Sequence, residues 1–249
     1  MGSRMEIRMK VLMINSSIKR NRSRSYKLAQ AFIEGLCENL SVKSIEISNV
    51  WLYEQNIQDC KCCYCCWKPE HEGCCIIQDD MNELLNKYIE ADLVIWSFPL
   101  IFFYFPASMK KFIDRTLPLY MAQQKIEEGR YIHLRRYSKM ADRREVFIST
   151  CGFPVKVNNY EPVDEFIRIL YHNKADKIFC TEGNIFEEKR FEKIVTHYLL
   201  AVKEAGRTYS FENGILEKSK RRLDQQMIVE SLYEKEANSN ILWMLNQKE

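Results

Sequence analysis

The densest group of chemically reactive side chains lies in a cysteine segment, residues 59–75, which reads DCKCCYCCWKPEHEGCC. It holds seven of the chain's ten cysteines within sixteen positions. Thiolates bind zinc and iron–sulfur clusters, and pairs of thiols form disulfides. Disulfides, a zinc site, an iron–sulfur cluster and unligated thiols are therefore all open from this segment alone.

The expected compartment narrows these alternatives. The N-terminal sequence MGSRMEIRMK lacks the apolar core of a secretory signal, so we expect a cytoplasmic protein. Thiols stay reduced there, which favours a metal or redox site over a disulfide framework. Zinc is the weaker of the metal options because the segment lacks a second C-x2-C pair at ribbon spacing, although His71 could replace one thiolate.

Composition describes an ordinary globular chain. Its 249 residues, 46% hydrophobic and 29% charged, suffice for one substantial core. A net charge of +3 gives no argument for a nucleic-acid or membrane surface. The longest apolar stretch, residues 93–107, contains Ser97, Pro99 and Pro106 and is too short to span a bilayer. We therefore expect neither nucleic acid nor membrane as a partner.

The elements that position the reactive residues alternate between strands and helices. Apolar runs predict strands over residues 9–16, 41–49, 92–99, 144–150 and 176–181. Helical spacing predicts helices over residues 25–40, 79–91, 107–120 and 161–173. Apolar strands separated by helices form a parallel sheet covered on both faces. The predicted fold class is α/β, a doubly wound parallel five-stranded sheet.

Two further segments complete this organisation. Residues 9–185 contain every predicted strand, whereas residues 186–249 have only helical patterns and are expected to form a C-terminal extension that packs on this domain or on a partner chain. Residues 121–144 fit neither helix nor strand and carry seven basic side chains. They are either a solvated loop beside the site or a site for an anion, such as the nicotinamide phosphate.

Ligands of such sheets bind beyond the carboxyl ends of the strands, and the first loop (residues 16–25) is polar there. It offers four serines and four basic residues, namely Ser16, Ser17, Ser23, Ser25, Lys19, Arg20, Arg22 and Arg24. It has no GxGxxG or GxxxxGK[ST] pattern, which argues against a Rossmann dinucleotide site or a P-loop. Hydroxyls and N–H groups at a helix N-terminus suit a phosphate monoester, with an ordinary polar loop as the alternative.

The second loop (residues 97–115), SFPLIFFYFPASMKKFIDR, resembles the flavodoxin-like NAD(P)H-dependent FMN reductases, a family that includes the iron–sulfur flavoproteins. Their pattern here is P-[VL]-Y-F-x3-[SP]-A-x-[LM]-K-x-F-[IL]-D-R. The positions in register are Pro99, Leu100, Phe102, Pro106, Ala107, Met109, Lys110, Phe112, Ile113, Asp114 and Arg115. Ile101 stands where the family usually has tyrosine. The resemblance runs from residue 10 to about residue 180.

The resemblance implies a flavodoxin-like fold and an FMN site built from three loops. In the first loop, residues 16–19 stand for the family's G-S-P-R, and in the third loop (residues 149–154) Phe153 replaces the second glycine of T-x-G-G. The implied cofactor-binding residues are Ser17, Lys19, Ser23, Ser25, Pro99, Leu100, Ile101, Phe102, Tyr104, Thr150, Cys151 and Gly152. Backbone N–H groups of the third loop would stabilise negative charge on the reduced flavin ring.

The resemblance also bears on the cysteine segment. Family members often read C-x-G-C-x-x-C-W there, and this chain has Cys60, Cys63, Cys66 and Trp67 in register, with Cys62 at the glycine position. The iron–sulfur members add a fourth cysteine four to seven residues on, and Cys74 fulfils that spacing, whereas Cys75 lies one residue beyond. The implied metal ligands are Cys60, Cys63, Cys66 and Cys74, holding a 4Fe–4S cluster; unligated or redox-active thiols are the open alternative.

The activity implied by the family is an FMN-dependent oxidoreductase that takes a hydride from NADH or NADPH. Electrons would pass to a quinone, a nitroaromatic, a free flavin or a one-electron acceptor. No catalytic side chain is expected because the flavin carries the chemistry. The resemblance further implies a homodimer or homotetramer. The alternatives are a non-enzymatic FMN electron carrier or redox sensor, and a metal-binding module that keeps the fold without FMN.

Overall fold

The computed structural model describes residues 8–39, 44–127, 129–141 and 143–245. Predicted strand residues 41–43 and predicted helix residue Leu40 lie outside these ranges, as do the terminal residues 1–7 and 246–249. The strands are β1 (Arg8–Asn15), β2 (Ser44–Trp51), β3 (Leu93–Pro99), β4 (Tyr120–Glu127), β5 (Arg130–Arg135), β6 (Arg144–Thr150) and β7 (Ala175–Cys180). The helices are α1 (Arg24–Cys37), α2 (Met81–Glu90), α3 (Ala107–Asp114), α4 (Glu161–Tyr171), α5 (Glu192–Arg207), α6 (Glu217–Leu223) and α7 (Glu230–Leu245).

The five predicted strands form one sheet in the order β2-β1-β3-β6-β7, and every neighbouring pair is parallel. The predicted fold class is thereby confirmed. The chain leaves β1 toward β2 on one side and then crosses to β3 on the other, so the switch point lies between β1 and β3. Crevices at such a point, beyond the carboxyl ends of the strands, are where open α/β sheets bind ligands.

The sheet is buried on both faces because alternate residues of its strands enter two different cores. On β3, Leu93 and Ile95 pack with α1 and α5, whereas Val94, Trp96 and Phe98 pack with α2, α3 and α4. All five side chains are fully buried. This explains why the strands read as continuous apolar runs rather than as alternating ones. Helix α5 lies within the predicted C-terminal extension, yet its apolar residues belong to one of these two cores.

Helices α1 and α5 approach unusually closely through two glycines. A Cβ atom on Gly35 would lie 1.9 Å from the Lys203 carbonyl oxygen, and one on Gly206 would lie 2.0 Å from that of Phe32. Each glycine therefore lets one helix backbone contact the other directly. Since α1 begins at the first loop, this crossing anchors the helix that carries that loop.

The helix predicted over residues 107–120 is too long, and the segment that follows it is not a loop. Helix α3 ends at Asp114, and Pro118, which has no N–H group to continue a helix, lies in a short 3-10 turn at Leu117–Leu119. Strands β4 and β5 then form an antiparallel hairpin, with Gly129 at φ +76 in its turn. Alternation was too weak in these polar strands to predict them.

Five of the seven basic residues of this region form ion pairs with carboxylates. Arg143 pairs with Glu145 at 2.8 Å and Arg144 with Asp176 at 2.9 Å, and both pairs are buried. Arg136, Lys139 and Lys125 pair with the carboxylates of Glu72, Glu90 and Glu127. The described pairs thus favour structural roles for these charges.

No helix in the described ranges is long and apolar enough to cross a membrane.

Candidate functional site

The three predicted loops meet at the carboxyl edge of the sheet. The Ser16 N–H donates to the Ser97 carbonyl at 2.9 Å, and the Ser16 and Ser108 hydroxyls are 2.7 Å apart, which joins the first loop to the second. The Leu100 N–H donates to the Thr150 carbonyl at 2.9 Å, which joins the second loop to the third. These hydrogen bonds bring the three loops together at the carboxyl edge of the sheet, next to the switch point.

The first loop presents polar groups at the N-terminus of α1. Ser23 is the N-cap residue of α1, but its hydroxyl makes no cap hydrogen bond; it pairs instead with the Ser25 hydroxyl at 3.0 Å. The first N–H groups of a helix have no intrahelical acceptor, so they can bind an anion together with the positive end of the helix dipole. In the same loop Ser17 is buried and Lys19 is exposed.

The second loop forms a tight turn that projects aromatic side chains. Ile101 and Tyr104 exchange two backbone hydrogen bonds of 3.0 Å, and Phe102 and Phe103 between them have φ values of 46° and 62°. Two successive positive φ values are the signature of a type I′ turn. Phe102 is 94% exposed, whereas the Phe103 ring stacks on Phe153 of the third loop with centroids 5.8 Å apart. Apolar rings are thus exposed where the second and third loops meet.

The third loop has fewer free donors than the resemblance implies. The Cys151 N–H already donates to the Cys180 carbonyl at 3.0 Å, and the Cys151 thiol is buried, which raises its pKa. Gly152 is exposed, and its carbonyl accepts a hydrogen bond of 2.9 Å from the Tyr233 hydroxyl on α7. The C-terminal helix therefore reaches the predicted flavin loop, a contact that no local sequence pattern indicated.

Glu182 joins the third loop to the residues that precede α7. It has a left-handed φ of 60°, its N–H donates to the Phe153 carbonyl at 2.8 Å, and it is 1% exposed. Its carboxylate accepts hydrogen bonds of 2.7 Å from the Met227 N–H and 3.0 Å from the Ile228 N–H. Burial raises the pKa of Glu182, although these two donors act in the opposite direction.

We predict that Glu182 makes folding less favourable as pH rises. Above the ordinary carboxyl pKa of 4.5, the unfolded chain ionises first while the folded chain retains the Glu182 proton. The folded state then binds more protons than the unfolded state, so the free energy of unfolding falls through this window. Urea unfolding of wild type and Glu182→Gln between pH 4.5 and 7.5 measures the effect. The free energy of unfolding of wild type should decrease relative to that of Glu182→Gln as the pH rises. A difference that does not depend on pH would contradict the prediction.

Within the cysteine segment, four thiol side chains line one cavity. They belong to Cys60, Cys63, Cys66 and Cys75, and Arg115 lines the same cavity. Cys74 is exposed and is not part of the lining; its N–H instead donates to the His71 carbonyl at 2.7 Å. The structure therefore gathers three of the four predicted ligands and favours Cys75 over Cys74 as their neighbour. In the described ranges, no three Cys, His, Asp or Glu side chains already stand in a metal-binding arrangement.

The electrostatics of these thiols agree with a shared site. Burial and negative charge on Cys75, Cys60 or Cys63 together raise the pKa of Cys66 to about 11. Hydrogen bonds from Cys65 lower the pKa of Cys63. Thiolates that repel one another in this way are stabilised together by a bound cation or cluster. Four cysteines around one cavity offer the sulfur donors that a thiolate-bound metal group requires.

The β4–β5 hairpin holds the cysteine segment in place. The Trp67 indole N–H donates to the Tyr120 carbonyl at 2.9 Å, and its ring lies against His133 with centroids 4.8 Å apart. Arg136 pairs with Glu72 at 2.6 Å. Because Trp67 follows Cys66 directly, these contacts fix the backbone of a predicted ligand.

A buried ion pair anchors both ends of the same segment. The Arg115 guanidinium binds both oxygens of Asp79, at 2.6 and 2.9 Å, and also donates to the Gln58 carbonyl at 2.8 Å. The two charged side chains are 1% and 0% exposed. Burial acts to raise the pKa of Asp79, but the Arg115 guanidinium and two backbone N–H groups hold it below its ordinary value. Asp79 and Gln58 flank the segment, so Arg115 ties its ends together.

The residue at the family's glycine position carries backbone strain. Cys62 has a φ of 50°, in the left-handed region that favours glycine. Cys62→Gly is therefore expected to raise the free energy of unfolding by about 0.5–1 kcal/mol, since the relieved strain exceeds the entropy cost of glycine. Urea unfolding under reducing conditions measures this, with Cys62→Ala as the matched control that removes the thiol but keeps the strain. Equal stabilities of the glycine and alanine variants would contradict the prediction.

Residues 9–175 match the sequence profile of a family described by its flavodoxin-like fold. Among curated proteins, the chain is 33% identical over 95 residues to an iron–sulfur flavoprotein of Archaeoglobus fulgidus, covering 38% of this chain and 42% of that protein. It is 31% identical over 117 residues to an FMN-dependent NADH:quinone oxidoreductase of an Exiguobacterium species, covering 43% of this chain and 54% of that protein. The chain thus spans about half or less of the length of these relatives.

Among solved structures, an azoreductase from Bacillus anthracis superposes with a TM-score of 0.60 at 18% identity. The superposition covers 81% of this chain and 100% of the azoreductase chain. At this level of identity the likeness concerns the fold.

Proposed function

We propose that this chain, which belongs to the flavodoxin-like fold family, is an FMN-dependent oxidoreductase that uses NADH or NADPH. The observation that carries this proposal is the junction of the three loops at the β1/β3 switch point, through Ser16, Ser97, Leu100 and Thr150. The names of the two curated relatives, an iron–sulfur flavoprotein and an FMN-dependent NADH:quinone oxidoreductase, support the same cofactor and reaction class.

The residues present fit FMN at this crevice. The first loop and the N-terminus of α1 would bind the phosphate through Ser17, Lys19, Ser23 and Ser25, where the unused N-cap hydroxyl leaves the helix donors for an anion. The ring would lie along the second and third loops, whose predicted contacts are Pro99, Leu100, Ile101, Phe102, Tyr104, Thr150, Cys151 and Gly152. Bound FMN supplies hydride acceptance from NAD(P)H and electron delivery to the acceptor. The protein's own task is to bind and orient the ring and to exclude water.

We include a 4Fe–4S cluster in the proposal. Its thiolates would be Cys60, Cys63, Cys66 and Cys75, because these side chains share one cavity and Cys74 lies outside it. This set departs from the spacing by which Cys74 was predicted. Such a cluster supplies one-electron transfer. A reducing compartment, as in the cytoplasm, would keep these thiols available for ligation.

The exposed Phe102 supports a homodimer or homotetramer in which a second chain covers the mouth of the crevice. The proposed acceptor is a small molecule: a quinone, a nitroaromatic, a free flavin or a one-electron carrier. The division into a flavodoxin-like domain of residues 9–185 and a helical extension of residues 186–249 stays part of the proposal, with α5 contributing to the domain core.

The first test is an anaerobic absorbance spectrum of the purified protein with iron and acid-labile sulfide analysis. Flavin bands and about four iron atoms per chain are expected. Steady-state oxidation of NADH and of NADPH with a quinone acceptor then tests the reaction. Bound FMN without turnover for any acceptor would favour an electron carrier instead. Absence of FMN binding, measured by fluorescence titration, would overturn the proposal.

A further inference from the structure

Arg115 stands out because it is a fully buried cation in the lining of the cysteine cavity. Its side chain is 1% exposed and is held by three hydrogen bonds, two to the Asp79 carboxylate and one to the Gln58 carbonyl. Its Nε is buried and makes no hydrogen bond within the described part of the chain. Cys75 lines the same cavity. The guanidinium therefore has a fixed position in a lining that it shares with Cys75.

Cys75 and Cys74 differ in their position relative to this cavity. Cys75 lines the cavity with Arg115 and the other three cysteines, whereas Cys74 points to solvent. Because Asp79 and Gln58 fix the guanidinium from both ends of the cysteine segment, the position of the charge does not depend on that segment's own turns. A thiolate near this buried charge gains more electrostatic stabilisation than a thiolate in solvent, because screening by water and salt removes the attraction there.

We propose that Arg115 is a positioning residue that makes Cys75, and not Cys74, the fourth thiolate of the cysteine site, and that its charge stabilises the reduced form of a cluster bound there. The inference rests on the proposed function in that the site binds a cluster. Reduction adds one negative charge to a cluster that four thiolates already make negative, and buried charges and hydrogen bonds near the sulfurs set its potential. Arg115 lines the cavity with the cysteines, whereas Asp79 is not among its lining residues, so the attraction dominates over the repulsion from that carboxylate.

The ligand assignment is tested with a matched pair, Cys74→Ser and Cys75→Ser. Each protein is reconstituted anaerobically with iron and sulfide, and iron per chain is measured after gel filtration. Cys74→Ser is expected to keep the wild-type iron content, whereas Cys75→Ser should lose at least half of it. FMN binding and the circular dichroism spectrum should be unchanged in both, which shows that the fold is intact. Full iron retention in Cys75→Ser, or equal loss in both variants, would overturn the assignment.

The charge is tested by the midpoint potential of the reconstituted cluster in Asp79→Asn and in the double variant Asp79→Asn/Arg115→Met. Both lack the carboxylate, so they differ only in the guanidinium, and the double variant leaves no unpaired buried charge. Asp79→Asn is expected to raise the potential above wild type. The midpoint potential of the double variant should lie at least about 59 mV below that of Asp79→Asn. For one electron this is a tenfold change in the ratio of reduced to oxidised cluster. A purely structural role for Arg115 predicts no such opposite signs.

Further results decide between this inference and the function on which it depends. Equal potentials in the two variants, or a higher one in the double variant, would overturn the role of the charge. If the double variant fails to fold, Asp79→Asn against wild type replaces it, and a midpoint potential that is unchanged or lower in Asp79→Asn would overturn the role of the charge. A wild-type protein that binds FMN but no iron after anaerobic reconstitution would overturn the cluster itself and this inference with it, while leaving the FMN assignment intact.

Discussion

Ser17→Asp is expected to raise the Kd of FMN by about a hundredfold, or about 2.7 kcal/mol of binding free energy. Ser17 is 7% exposed and lies between β1 and α1, in the loop proposed to bind the phosphate. An aspartate there would set a carboxylate against the phosphate dianion where little water screens the repulsion. Fluorescence titration of the apoprotein measures the Kd.

Riboflavin gives the decisive control because it has the flavin ring without the phosphate. Its affinity is expected to be the same for wild type and Ser17→Asp, since the ring contacts lie in the second and third loops. Ser17→Asn keeps the size of aspartate without the charge and should weaken FMN binding by less than about tenfold. Equal losses of FMN and riboflavin affinity in Ser17→Asp would mean that the fold was damaged. An unchanged Kd for FMN would show that the phosphate does not bind at this loop.

The sheet could be predicted because its strands are buried on both faces. Residues of β3 such as Val94 and Ile95 enter opposite cores, so the strand reads as an unbroken apolar run that helices flank. The loops that follow such strands must meet at one edge, and the contacts of Ser16 and Leu100 bear this out. The second loop could be interpreted for another reason, since it resembles a known family over the seventeen positions from Pro99 to Arg115.

What could not be predicted depends on contacts between distant residues. Glu182 and Tyr233 reach the third loop from far along the chain, and neither lies in a pattern that indicates a partner. The polar strands β4 and β5 form a hairpin whose exposed residues show no strong alternation. Spacing alone favoured Cys74 over Cys75, yet only the folded segment shows which side chain faces the cavity. Local patterns predict elements, whereas the partners of single side chains follow from packing.

The crossing of α1 and α5 links this packing to the proposed ligand site, and Gly206→Ala tests the link. The added Cβ would lie 2.0 Å from the Phe32 carbonyl oxygen and 2.9 Å from the Phe32 carbonyl carbon. These are backbone atoms, which cannot rotate away as a side chain would, so the two helices must separate. We expect the free energy of unfolding to fall by about 3 kcal/mol, the upper end for overpacking a core. Urea unfolding followed by circular dichroism measures it.

Thr196→Ala on the exposed face of α5 is the matched control and should change the free energy of unfolding by less than about 0.5 kcal/mol. A similar small effect for Gly206→Ala would mean that the crossing can widen at little cost. Because α1 carries the first loop at its N-terminus, separation of the helices should also displace the helix donors from the phosphate. Folded Gly206→Ala protein is therefore expected to bind FMN more weakly while its affinity for riboflavin changes less, which would connect the glycine contact to the phosphate end of the site.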